Sequence, residues 1–313
     1  MLLVGIPTAL FSQAVSVSGR VLRGGRDTVP LANAWVLLHR LARESTGPVD
    51  SVRSDARGRF RMELRSPDST SGYAVSVWYD SIGYFSLPLN VTGRPAVHVE
   101  DLVAFPTTSN GPPIRLSRRL ATVARTGADG TREVLEILEL ENTGATTRVT
   151  TDTLIPTWAG RVPAGAGRFR GGQGDISSDA MQFRHDSVIV LAPIPPGGMK
   201  QISYAYSLPA GTRALVIPID QPTSEVNLLV EDTTAIVNAP QIESLGAKDI
   251  EQRRFVAYRA RSLGAGDKVE IRLPGGKFRP QLLLPYVIGV LAAGMVAALV
   301  WALRRRPPPS KLS

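Results

Sequence analysis

Side chains able to do acid–base, nucleophilic or metal chemistry are few in this chain, and they lie far apart. There are three His and no Cys, which excludes disulfides, thiolate metal sites and a Cys nucleophile. The imidazoles are His39, His98 and His185. A zinc site wants paired ligands on one face, as in H-E-x-x-H on a helix, because the ion needs several donors converging at about 2 Å. No such pair occurs. The nearest approach is His98-Val99-Glu100-Asp101, where His98 and Glu100 would share one face of a strand. Peptidase-type zinc binding through H-x-x-E fails too, since no His has Glu three residues later. A G-x-S-x-G elbow, a P-loop and G-x-G-x-x-G are all missing. Gly165-Ala166-Gly167 and Gly171-Gly172-Gln173-Gly174 have the wrong spacing, with Arg170 where a third glycine belongs. The expectation is a protein that is not an enzyme, with no catalytic residue, metal or cofactor.

The most unusual segment is 158–175. It carries Trp158, Arg161, Arg168, Phe169 and Arg170 among six glycines. Arg and aromatic side chains anchor protein interfaces, and Arg also meets anionic lipid headgroups. These five residues are expected to bind a partner; the alternative is a mobile, solvated loop. Nucleic acid is not an expected partner. Of the net charge of +9, four charges sit on Arg304, Arg305, Arg306 and Lys311, leaving +5 for the rest of the chain. Nucleic-acid binding would call for a clustered basic face.

The elements that must position these residues follow from pattern and composition. The chain has 313 residues, 43% hydrophobic and 20% charged, enough for a packed core. Its 29 Gly and 24 Pro indicate many turns and a β protein. In the first part, Phe60, Met62 and Leu64 alternate with Arg59, Arg61 and Glu63, and Tyr73, Val75, Val77 and Tyr79 with Ala74, Ser76 and Trp78. A period of two puts each apolar set on one face of a strand. The order Val17-Ser-Gly-Arg-Val21, then Pro30-Leu-Ala-Asn-Ala34-Trp-Val36-Leu-Leu38, then Ser54-Asp55-Ala-Arg-Gly58-Arg-Phe60 resembles the carboxypeptidase regulatory-like (transthyretin-like) domain. Ser54 replaces the usual Thr. The resemblance covers residues 15–104. It implies an accessory β-sandwich for folding, adhesion or partner binding, and no peptidase activity.

Residues 105–113 read as a linker, Phe-Pro-Thr-Thr-Ser-Asn-Gly-Pro-Pro. A second β region, 114–274, is expected to be one large sandwich or two small ones. Segment 134–141 reads as a strand, with a short helix as the alternative because Glu136, Glu139 and Glu141 are partly three-periodic.

The two ends differ from the middle. Residues 282–303 contain no charge, and a helix of that length spans about 33 Å, enough for a hydrocarbon core of about 30 Å. Tyr286 and Trp301 fall near its ends, where aromatic rings favour the interface, and Arg304, Arg305 and Arg306 follow. Gly289, Ala293 and Ala297 recur every fourth residue, a pattern that lets helices approach closely in lipid. Residues 1–14 are apolar and end Ser12-Gln13-Ala14, a small-x-small cleavage pattern, although no Lys or Arg precedes the apolar run. A first β-strand is the alternative there. Lys and Arg near the span are balanced, so orientation rests on the signal-like start and the triple Arg.

The expected fold class is therefore all-β: two tandem antiparallel β-sandwich domains (15–104 and 114–274) followed by one C-terminal transmembrane α-helix (282–303) and a basic tail (304–313). The expected location is the cytoplasmic membrane, single-pass, with 15–281 on the periplasmic or extracellular side. The expected partners are other proteins of a membrane complex and the lipid bilayer. A membrane-tethered module for a carbohydrate, cell-wall polymer or small ligand is the alternative function.

Overall fold

A computed structural model describes residues 14–42, 45–152 and 155–274. This part of the chain is all-β: one three-residue 3-10 turn, Ser178–Ala180, is the only helical element among the described residues. None of its helices is long and apolar enough to cross a membrane. The expected span at 282–303, with Tyr286, Gly289, Ala293, Ala297 and Trp301, lies outside the described residues, as do Arg304, Arg305, Arg306 and the signal-like segment up to residue 13.

Nine strands form the first region. β1 (Val15–Arg23) is bordered by β2 (Val29–Pro30) and β5 (Arg59–Leu64), both antiparallel, and by β8 (Ala96–His98) and β9 (Leu102–Ala104), both parallel. A second sheet runs β4 (Gly47–Arg53), β3 (Trp35–Leu41), β6 (Gly72–Tyr79), β7 (Ile82–Phe85). The inward residues of both sheets, among them Val17, Phe60, Met62, Val36, Leu38 and Val75, share one buried cluster. The alternation of β5 is obeyed strictly, with Phe60, Met62 and Leu64 buried and Arg59, Arg61 and Glu63 exposed.

The turn that carries the family resemblance is tied to its neighbours. Ser54 Oγ accepts from Ala34 N–H (3.0 Å) and donates to Leu31 C=O (2.7 Å). Asp55 Oδ1 accepts from the N–H groups of Arg57 and Arg59, both at 2.8 Å. Gly58 has φ +73°, and a Cβ there would lie 2.2 Å from Val21 O. Glycine is the residue that meets both conditions.

β6 departs from expectation. Ala74 and Ser76, read as outward-facing, are buried. Side chains on the outer face of the sheet cover them: His39 Nε2 lies 2.7 Å from Ser76 Oγ, and the His39 and Phe85 rings meet at a tilt of 47° with 5.6 Å between centroids. The segment read as a linker is also engaged. Phe105 packs on the first cluster, and β10 (Thr107–Thr108) pairs in parallel with β13 (Thr147–Arg148). Tyr84 OH bonds both Phe105 C=O (2.8 Å) and Thr147 Oγ1 (2.7 Å), while Asp80 accepts two hydrogen bonds from Thr107.

The second region centres on a seven-stranded sheet in the order β15 (Gly167–Gly171), β18 (Met199–Leu208), β12 (Arg132–Glu141), β11 (Arg115–Thr126), β20 (Thr223–Val230), β23 (Arg253–Leu263), β22 (Ile242–Ile250). Two three-stranded sheets accompany it: β14 (Trp158–Arg161), β17 (Ser187–Val190) and β16 (Met181–Arg184), and β19 (Ala214–Pro218), β24 (Lys268–Arg272) and β21 (Ile236–Asn238). All three sheets contribute to a second buried cluster. Segment 134–141 lies within β12, a strand and not a helix, and its inward positions are Arg132, Val134, Glu136, Leu138 and Leu140. A carboxylate and a guanidinium thus occupy core positions of an otherwise apolar stripe.

Candidate functional site

The residues expected to bind a partner are split by the fold. Segment 158–175 holds two strands, β14 and β15, rather than one open loop. Trp158 is only 4% exposed and belongs to the core, so it cannot reach a partner directly. Phe169 is half-buried, stacked on Phe183 at 3.5 Å and on Tyr206 at 5.5 Å between centroids. The three arginines are exposed. Arg168 pairs with Asp129 (3.4 Å) and Arg170 with Glu133, while the Arg161 N–H donates to Asp220 (2.9 Å). Arg168 and Arg170 flank Phe169 on β15, an edge strand of the seven-stranded sheet, whereas Arg161 lies on β14 in a different sheet.

The imidazoles do not converge. His39 is tucked against Ser76, where burial lowers its pKa; His98 is exposed on β8; His185 sits in the β16–β17 turn with φ +54°. Among the described residues no group of three or more His, Asp or Glu is placed to hold a metal ion.

Two surfaces that the sequence did not single out stand open on the first region. The first is the outer face of the β4-β3-β6-β7 sheet. Trp35 and Trp78 are direct cross-strand partners, 48% and 50% exposed. Trp78 faces Gly83 on β7, and a Cβ at Gly83 would lie 3.1 Å from the Phe85 ring and 3.4 Å from the Trp78 ring. Both rings therefore lie over the glycine, covering bare backbone that a larger residue would push them away from. Phe85 is 59% exposed and Leu87 77%. The Arg53 guanidinium stands over the Trp35 ring, 4.3 Å from its centroid, and is held by Asn33 C=O at 2.8 Å. Such a stack contributes about 0.5–1 kcal/mol at an exposed site. Past Trp78 and Phe85 the face opens into a groove of about 1140 Å³, whose other wall includes Ile176, Pro193 and Lys200 from the second region.

The second surface is the solvent face of β1, β5 and β8. In register, Arg20 opposes Arg59, and Ser18 opposes Arg61 on one side and His98 on the other. These residues line an open groove of about 670 Å³ that extends to Arg53. The clue to both surfaces was in the sequence. Trp78 fell on the polar side of its strand's alternation, and Arg59 and Arg61 alternated on theirs.

No family model matches the chain, and no curated protein matches it. Among solved structures it is similar to the M1 zinc metallopeptidase from Deinococcus radiodurans at 8% identity and a TM-score of 0.35, over 53% of this chain and 43% of that one. A mutant of a two-domain M1 zinc metallopeptidase bound to L-tryptophan gives 7% identity and a TM-score of 0.34, over 53% of this chain and 44% of that one. The chain thus spans less than half the length of these structures, and likenesses this distant do not bear on what it does.

Proposed function

We propose that this protein is a non-enzymatic accessory or scaffold subunit that makes protein–protein contacts within a larger membrane complex. In this reading residues 282–303 anchor it in the cytoplasmic membrane, and two tandem β-sandwich domains stand outside, the first of the carboxypeptidase regulatory-like kind. The observation that carries the contact role is the aromatic face of Trp35, Trp78 and Phe85, topped by Arg53. Trp and Arg are among the residues most enriched at the energetic centres of interfaces, and exposed aromatic side chains gathered on one face supply such a centre. Arg161, Arg168 and Arg170 supply a second patch on the other region. Next to Phe85 on β7, Tyr84 is tied to the following segment through its hydroxyl, which bonds Phe105 C=O and Thr147 Oγ1.

The experiment is extraction of the full chain from its native membrane in mild detergent, followed by mass spectrometry of what travels with it. Stoichiometric partners are expected, and they should be lost from a Trp35→Ala/Trp78→Ala variant. A chain that elutes alone from native membranes would defeat the reading.

One observation favours the alternative, a tethered binding module for a carbohydrate or cell-wall polymer. The Trp78 and Phe85 rings lie beside Gly83, and all three residues line the 1140 Å³ groove. The electron-rich faces of such rings can stack on the C–H faces of a sugar. Binding of soluble peptidoglycan fragments by the wild-type chain, lost in the same Trp variant, would select this function over the first.

A further inference from the structure

The basic face of β1, β5 and β8 has a charge arrangement that the fold does not need. Arg20 and Arg59 are direct cross-strand partners, and like charges placed opposite each other destabilise a sheet. Arg20 is relieved by Asp101, which accepts from both its Nε and Nη2. Arg61 Nε donates to Ser16 Oγ at 3.0 Å. The Arg59 guanidinium has no hydrogen-bond or ion-pair partner among the described residues. The nearby carboxylate of Asp55 accepts two backbone N–H bonds at Oδ1, one of them from Arg59 itself, and among the described residues it forms no ion pair with a groove arginine. Arg53, at the border of this groove, has its guanidinium stacked on Trp35 and bonded to Asn33, and forms no ion pair among the described residues. Four arginines thus line the groove against two carboxylates, both already engaged, with His98 across from Ser18.

The spacing restricts what fits. Arg59 and Arg61 are two residues apart on one face of a strand, hence about 6.8 Å apart along it. A second chain in extended conformation presents side chains on one face at the same repeat. The next outward residue of β5 is Glu63, so the complement runs acidic, acidic, then neutral or basic.

We propose that this groove binds an extended acidic segment of a protein partner, with Arg59 and Arg61 each taking a carboxylate from alternate residues of that segment. Arg20 and His98 flank the bound strand, and Arg53 joins this groove to the aromatic face. The inference rests on the protein-contact reading above and names the chemistry of the partner. Ion pairing between charged groups of this kind sets specificity and association rate, and it weakens with salt.

The test uses the full chain in mild detergent and fluorescence anisotropy. The probe is a rhodamine-labelled serine decapeptide with glutamate at two alternate central positions, and the control replaces both glutamates with glutamine. The glutamate peptide should bind, the glutamine peptide should not, and Arg59→Ser/Arg61→Ser should weaken binding about tenfold or more. Arg59→Lys/Arg61→Lys keeps the charge and should retain most of the affinity, which guards against misfolding of the Ser variant. Vesicles of phosphatidylglycerol in phosphatidylcholine are the second probe. Vesicle binding that needs Arg59 and Arg61, without peptide binding, would overturn the proposal and assign the groove to lipid. Equal affinity of the Ser variant and wild type for the glutamate peptide would also overturn it. The peptide assay needs no native partner, so its failure is distinguishable from failure of the co-purification experiment, which reads the Trp face.

Discussion

Arg119 and Glu136 form a bidentate ion pair in the interior of the second region. Arg119 Nε donates to Oε2 at 2.7 Å and Nη2 to Oε1 at 2.9 Å, with the two residues 2% and 0% exposed. Arg119 Nη1 reaches across to Pro218 C=O on the opposing sheet (2.9 Å), and Tyr204 and Tyr206 donate to the two carboxylate oxygens at 3.1 and 2.8 Å. Burial works against the guanidinium charge, but the charge and hydrogen bond of Glu136 together with Tyr204 and Tyr206 more than offset it, so the Arg119 pKa is raised. The network pins β11, β12, β18 and β19 in one register.

Removing one partner should therefore cost more than removing both. Glu136→Leu leaves a buried cation and two tyrosine hydroxyls without acceptors, and should lower unfolding free energy by about 3–5 kcal/mol. Arg119→Met/Glu136→Leu leaves no unpaired charge and should recover much of that loss. Urea unfolding followed by tryptophan fluorescence measures both; a double variant no more stable than the single one would refute the coupling.

The same network predicts alkaline sensitivity. Burial first, and the neighbouring Glu136 charge second, raise the pKa of Tyr204 and Tyr206 well above the ordinary value of about 10. The folded state then holds protons that the unfolded chain releases above that pH. Stability from these groups is fully present below pH ~10 and falls as pH rises beyond it. In an ultraviolet tyrosinate titration, two of the tyrosines should ionise only together with unfolding, and Tyr204→Phe should remove one of them.

Gly58→Ala should destabilise the first region. The left-handed backbone alone costs about 1–2 kcal/mol for a residue with Cβ. The contact with Val21 O requires β1 and the turn to part as well. Unfolding midpoints should fall while Gly93→Ala, which shares a positive φ (+67°) but meets no atom within 4 Å, falls less. Equal shifts would show that backbone conformation and not the close approach governs the site.

Trp35→Ala should change stability by less than ~1 kcal/mol, because the side chain is half exposed and loses mainly its Arg53 stack. Partner retention in a detergent pull-down should nonetheless fall. Arg161→Ser/Arg168→Ser/Arg170→Ser should likewise leave the fold intact, since exposed ion pairs such as Arg168–Asp129 contribute at most about 1 kcal/mol. That variant should weaken the same complex; an unchanged complex would remove the patch from the contact surface.

The β character of the chain could be read directly from its residues. Period-two alternation at 59–64, the turn residues Asp55 and Gly58, and the apolar stripe of 134–140 are local features, and local sterics and burial decide them. Three matters needed the tertiary structure. Glu136 and Arg119 are inward residues on neighbouring strands, and only their register, Leu120 opposite Ile137 and Ala121 opposite Glu136, brings the two charges together in the core. Trp158 and Trp78 are the same residue type, yet Trp158 is 4% exposed and Trp78 50%; on the outer face of β6 Ala74 and Ser76 are buried, while Trp78 near the strand's end is left exposed. Arg20 and Arg59 are far apart along the chain, and pairing of β1 with β5 places them side by side. A residue's own type sets what it can do. Which groups it meets, and whether water reaches it, depend on segments distant in sequence, and no local pattern carries that information.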